Sequence, residues 1–148
     1  MSSLELPDEP LIGALLRLPA QAIHRRIIEG LNGAGFRDLR LPHMGVLQYP
    51  GPDGYRPSEL AERAGMSKQA MNQLLQSLER LGYVRRKDAD GDGRARIVRF
   101  TKRGHAAWAK VYEILREIED EWRSTLGHRD FDRLKELLSE VWVSDLVP

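Results

Sequence analysis

The sequence predicts a mostly α-helical chain that carries one small β-hairpin. Three observations predict it. Apolar residues recur at spacings of three and four over most of the 148 residues. That period gives way to strand-like alternation only around residues 83–100. Glycine and proline clusters punctuate the chain between these stretches. The length favours a single chain-long unit, or a small domain with helical extensions.

Leu11–Leu31 reads as the first helix, with Leu15, Leu18, Ala22, Ile23 and Ile27 at helical spacing. Pro19 should kink it or mark a restart, because proline lacks the N–H and clashes with the preceding turn. Gly30, Gly33 and Gly35 end it. Pro42–Tyr49 predicts a short helix opened by proline in its first turn. Pro50-Gly51-Pro52-Asp53-Gly54 is a turn cluster. Pro57–Ala64 is a short helix closed by Gly65, and Ser67 is a good N-cap for the next, Lys68–Leu81. Met71, Leu74, Leu75 and Leu78 share one face of that helix, and Gly82 ends it.

Tyr83–Lys87 is short and β-capable, Asp88–Gly93 is a polar turn, and Arg94–Phe100 alternates apolar residues with arginines. The acidic, glycine-bearing turn fails as a calcium loop: with Asp88 as position 1, Arg99 stands where the distal glutamate ligand belongs. Thr101 then caps a long helix over Lys102–Leu126, where Trp108, Val111, Leu115, Ile118, Trp122 and Leu126 step by three or four. After Gly127-His128, the residues Phe131, Leu134, Leu138, Val141 and Trp142 mark a last amphipathic helix.

Composition narrows the function classes. There is no cysteine, which excludes disulfides, thiolate metal sites and thiol redox sensing and fits a reducing cytoplasm. No apolar run is long enough to span a membrane. The residues Met1–Pro10 lack the basic and apolar regions of a secretory signal. Net charge is only +1, but it is unevenly placed. Ser67–His105 holds ten Lys/Arg against four Asp/Glu, a net of +6, and Glu113–Asp145 holds five against ten, a net of −5. A polyanion would be drawn to the middle of the chain and repelled by its end.

Two short helices joined by a tight glycine-containing turn match a helix-turn-helix, whose second helix enters the major groove with its N-terminal residues at base edges. Those positions are Lys68, Gln69, Asn72 and Gln73, with Ser67 at the cap. Asn and Gln pair with adenine in a bidentate way, Lys contacts guanine or phosphate, and a capping Ser can bind a phosphate. The same side chains would also suit an ordinary solvated helix face. The hairpin separates the two readings, because arginine-rich strands directly after a helix-turn-helix are what a wing needs. Arg94 and Arg96 stand near its tip for a minor groove, and Asp92 is placed to hold the Arg94 guanidinium.

The segments Ser58–Ser67, Leu78–Val84, Asp92-Gly93-Arg94 and Phe100–Gly104 together resemble the MarR family of winged-helix regulators, from about Leu39 to Gly104. The resemblance implies a winged helix-turn-helix over 39–101, flanked by dimerisation helices over 10–35 and 102–146. It implies a homodimer on a palindromic operator, most often as a repressor, and often a small ligand that weakens binding to double-stranded DNA. The family's DNA-contacting positions fall on Ser67, Lys68, Gln69, Asn72, Gln73, Asp92 and Arg94. Gly93 stands where a second arginine is common, and Phe100 replaces the usual leucine.

His24, His43, Met44 and Leu47 lie on segments that, in the family, approach the junction where effectors sit. They are the candidate ligand residues. The four histidines show no i, i+4 pair, and no Ser/His/Asp grouping or phosphate-binding glycine loop occurs, so no metal, cofactor or enzymatic activity is expected. The alternative is a winged-helix module that binds protein without specific DNA binding.

Overall fold

The computed structural model describes residues 8–47, 54–89 and 92–146, and the side chains of these apart from 88–95. In chain order they form α1 (Ile12–Gly33), a 3-10 turn (Leu41–His43), α2 (Met44–Leu47), α3 (Pro57–Ala64) and α4 (Lys68–Arg80). Then come β1 (Val84–Ala89), β2 (Asp92–Phe100), α5 (Lys102–Leu126) and α6 (His128–Val143). This is the mostly helical arrangement with a β-hairpin wing that the sequence predicts.

Three boundaries differ from expectation. Pro19 marks no restart and lies inside one uninterrupted α1. Proline deletes a single N–H, and the hydrogen bonds on either side carry the helix across that gap. The Pro42–Tyr49 helix is a 3-10 turn followed by a single α-turn, the rest lying outside the described residues. Both strands run further into the Asp88–Gly93 turn than side-chain alternation implies, with Ala89 paired to Asp92 and a register shift between Asp88 and Ala89. Ladder hydrogen bonds use the backbone, so polar side chains do not stop them.

The chain divides into two compact units, Met1–Tyr112 and Glu113–Pro148, with the boundary inside α5. In the first, Ile27 and Leu31 of α1, Met44, Val46 and Leu47 around α2, Leu60 of α3, the α4 stripe Met71, Leu74, Leu75 and Leu78, and Val84, Val98 and Val111 are all buried. Gly65 takes a left-handed conformation (φ 64°), so that the Met66 N–H bonds the Ala61 carbonyl at 2.9 Å and α3 stops one turn before α4 starts. Tyr55 forms an isolated antiparallel bridge with Val98, a third strand fragment on β2 that no local pattern announced. In the second unit Ile114, Ile118 and Phe131 are buried. The Arg123 guanidinium lies 4.6 Å from the Phe131 ring centre, and Lys135 pairs with Glu119 at 2.8 Å.

A polar clamp closes the first unit. The Tyr83 ring is fully buried, and its hydroxyl donates to Asp38 Oδ1 at 2.5 Å. Arg103 donates to Asp38 Oδ2 at 3.0 Å, lies 4.3 Å from the Tyr83 ring centre and also donates to the Leu81 carbonyl. Three segments far apart in sequence meet there. Partial burial pushes the Asp38 carboxyl up, but the Tyr83 hydroxyl and the Arg103 charge outweigh it and hold the group below the ordinary carboxylate value. A carboxyl held low by folding adds stability above its unfolded pKa of about 3.9 and loses it as pH falls through the folded value. Asp38→Ala should therefore cost about 2 kcal/mol at pH 7, because it leaves a buried hydroxyl unpaired. In urea melts its deficit against wild type should shrink below about pH 4. A deficit that stays constant from pH 7 to pH 3 would show that the carboxylate charge adds nothing.

Candidate nucleic-acid interface

The α4 stripe decides what faces outward. At 100° per residue, burying Met71, Leu74, Leu75 and Leu78 turns Lys68, Gln69, Asn72 and Gln73 to solvent, and all four are exposed. Ser67 is extended and accepts from the Ala70 N–H at 3.1 Å, which makes it the N-cap of α4. The five positions predicted on this element thus form one exposed surface at the start of one helix.

Asp92, Arg94 and Arg96 all lie on β2. Arg96 is exposed, whereas the Asp92 and Arg94 side chains fall outside the described ones. A polar groove of about 610 Å³, lined by Gln76, Glu79, Arg80, Arg86 and Arg96, joins the hairpin to α4. Within it the Arg86 Nε donates to Glu79 Oε2 at 3.1 Å and Nη1 donates to Asn72 Oδ1 at 3.4 Å. Sequence reasoning counted Arg86 only among the bases. A usable signal was present: Val84 and Arg86 are two apart in a strand and share a face, so an arginine on the core-facing side needs a partner there.

The candidate ligand residues separate. His24 lines a cavity of about 430 Å³ with Gln21, Arg25, Ile28, Glu29 and Leu41. His43, Met44 and Leu47 are not among the residues that line it; they are buried. His43 Nδ1 accepts from the Arg40 N–H at 2.9 Å, which leaves Nε2 protonated and 3.4 Å from Ser77 Oγ on α4. Burial pushes the His43 pKa below the ordinary histidine value; Asp38 opposes this and Arg40 adds to it. The residue is a neutral brace beneath α4. Among the described residues, no three His, Cys, Asp or Glu side chains are grouped to hold a metal ion, and no helix is long and apolar enough to cross a membrane.

With this geometry in place, comparison with known proteins is informative. Residues 43–95 match the MarR family. An uncharacterized HTH-type transcriptional regulator of Bacillus subtilis, YfiV, is 30% identical over 103 residues, which span 69% of this chain and 57% of the relative's length. Among solved structures, the Mycobacterium tuberculosis MarR family protein Rv2887 in complex with salicylic acid is similar at 27% identity. The match has a TM-score of 0.65 and covers 92% of this chain and 99% of that one. The S. aureus MepR–DNA complex shares the fold at 20% identity and a TM-score of 0.72, covering 90% and 97%.

Proposed function

Because the chain belongs to the MarR family of winged-helix proteins, we propose that it is a sequence-specific DNA-binding transcriptional regulator, acting as a homodimeric repressor on a palindromic operator. The observation that carries this reading is the exposed row Lys68, Gln69, Asn72 and Gln73 behind the Ser67 cap, set beside an arginine-bearing hairpin. Side chains that can read base edges stand at the start of a helix whose opposite face is anchored in the core. In this reading residues 39–101 bind DNA, with Asp92, Arg94 and Arg96 serving the wing. Residues 10–35 and 102–146 make the dimer, and the protein works in the cytoplasm. The apolar side chains left at the surface support the dimer. Leu11, Ile12, Leu15 and Leu18 are exposed on and before α1, and Trp142 and Val143 of α6 are 72% and 85% exposed.

Selection of bound fragments from random duplex DNA tests the proposal. The expected result is an inverted repeat with half-sites about 10–10.5 base pairs apart, centre to centre, or a multiple of that. Asn72→Ala or Gln73→Ala should relax one symmetric pair of positions by about 1–3 kcal/mol, and Arg94→Ala should weaken binding to all sequences alike. Enrichment of no sequence, together with capture of a protein partner, would favour the protein-binding module instead.

Release by a small molecule completes the reading. The cavity at His24 sets the cationic Arg25, with Glu29 of opposite charge on the same lining, beside apolar Ile28 and Leu41. Arg25 is the group that would hold a small aromatic acid, the class to which the salicylic acid bound by Rv2887 belongs. Calorimetry with a panel of such acids should give saturable binding that lowers DNA affinity and is lost in Arg25→Ala. Saturable binding that leaves DNA affinity untouched counts against an effector role.

A further inference from the structure

Arg86 reaches from the hairpin to Asn72 on α4. Its side chain is only 14% exposed, and it reaches from β1 to two residues seven apart on one face of α4, Asn72 and Glu79. The 3.1 Å pair with Glu79 fixes the guanidinium plane, and the longer 3.4 Å contact places Nη1 against Asn72. A guanidinium carries N–H donors and no acceptor. The Asn72 atom facing it must therefore be the carbonyl oxygen, and the amide NH₂ of Asn72 is turned the other way.

This orientation matters for base recognition. A bidentate contact to adenine needs both ends of the amide: the oxygen accepting from N6–H₂ and the NH₂ donating to N7. The oxygen keeps a second lone pair, but a charged donor already on it fixes its direction and makes it the weaker end of the amide for a base. What Asn72 offers the groove freely is the NH₂. That group matches acceptor edges: guanine offers two, O6 and N7, whereas adenine offers only N7 beside its N6–H₂ donor and thymine only O4. We infer that Arg86 is a specificity-determining positioning residue, which orients Asn72 as a hydrogen-bond donor and biases its base position towards guanine and away from adenine. The inference rests on the proposed DNA-binding role and adds the base that this helix selects.

The test is selection from random duplex DNA with wild type, Asn72→Ala, Arg86→Met and Glu79→Ala, each checked for folding by circular dichroism. Asn72→Ala identifies the column that Asn72 reads, which in wild type should favour guanine. Arg86→Met keeps the aliphatic stem and removes the donors. It should raise adenine in that column by about fivefold or more, with the shift confined to the column. Glu79→Ala loosens the guanidinium while leaving the hairpin residue in place, and should move the same column in the same direction by less. It carries the test if Arg86→Met does not fold. A wild-type column that selects adenine overturns the inference, as does a motif that Arg86→Met and Glu79→Ala leave unchanged or weaken evenly at all positions. A wild-type chain that enriches no motif overturns the DNA-binding reading itself, and the inference with it.

Discussion

Gly104→Ala should destabilise the chain by about 3 kcal/mol or more. Gly104 sits in the first turn of α5, where a Cβ would stand 2.0 Å from the Tyr83 carbonyl oxygen and 3.2 Å from the Phe100 Cβ. Neither neighbour can yield cheaply. The Tyr83 carbonyl accepts from the Thr101 N–H at 3.0 Å, and the Tyr83 side chain is buried and held by Asp38 and Arg103. Thr101 is fixed in turn: its hydroxyl donates to the Gly82 carbonyl at 2.5 Å and accepts from the Gly104 N–H at 3.1 Å. Alanine must therefore either break the junction between the α4–β1 turn and α5 or tilt the helix away from it. Urea melts at fixed protein concentration read the loss. Gly33→Ala is the matched control, because it is also helical and has nothing within 4 Å of a new Cβ. It should be neutral or slightly stabilising, since alanine reduces the freedom of the unfolded chain. Equal stability of both variants would mean that α5 does not start against the Tyr83 carbonyl.

The contrast between these two glycines also shows what a sequence displays and what it hides. The α4 stripe, its Ser67 cap and the Gly65 turn were legible because each is local: a period of 3.6, a side chain bonding three residues on, a left-handed residue. The clamp was not. Asp38 and Tyr83 are 45 residues apart and Asp38 and Arg103 are 65 apart, and pairings at that range leave no periodic trace. The Tyr55–Val98 bridge was hidden for the same reason. The candidate ligand residues are a different case. The family resemblance grouped His24 with His43, Met44 and Leu47; in the fold His24 lines the cavity, whereas the other three are buried, because the α2 segment turns its apolar side into the core. Arg86 was half visible, as a charge on the inward face of a strand. The identity of its partners, Asn72 and Glu79, required the fold.

Affinity for an operator duplex should fall roughly 10³–10⁴-fold between 50 and 200 mM salt. On α4 and the hairpin Lys68, Arg85, Lys87, Arg96 and Arg99 are exposed. If three or four of these cations meet phosphates in each of two protomers, about six to eight counterions leave the duplex on binding, and log affinity falls with log salt at a slope near −5 to −7. A monomer with the same surface would give about half that slope, so the measurement also tests the proposed dimer. The slope and the base preference should respond to different residues. Removing a phosphate-contacting cation, as in Arg96→Ala, should flatten the slope by about 1 per contact and leave the motif intact. Asn72→Ala should leave the slope in place and relax the motif at one position. Acidic residues from Glu113 onward set the sign of the far end of the chain: with a net of −5 they are repelled by a polyanion, so neutralising exposed Glu136 or Glu140 should not steepen the slope. Binding that is weak and indifferent to salt would mean that the basic middle of the chain does not lie on phosphate, and the winged helix would then have to meet its partner through another face.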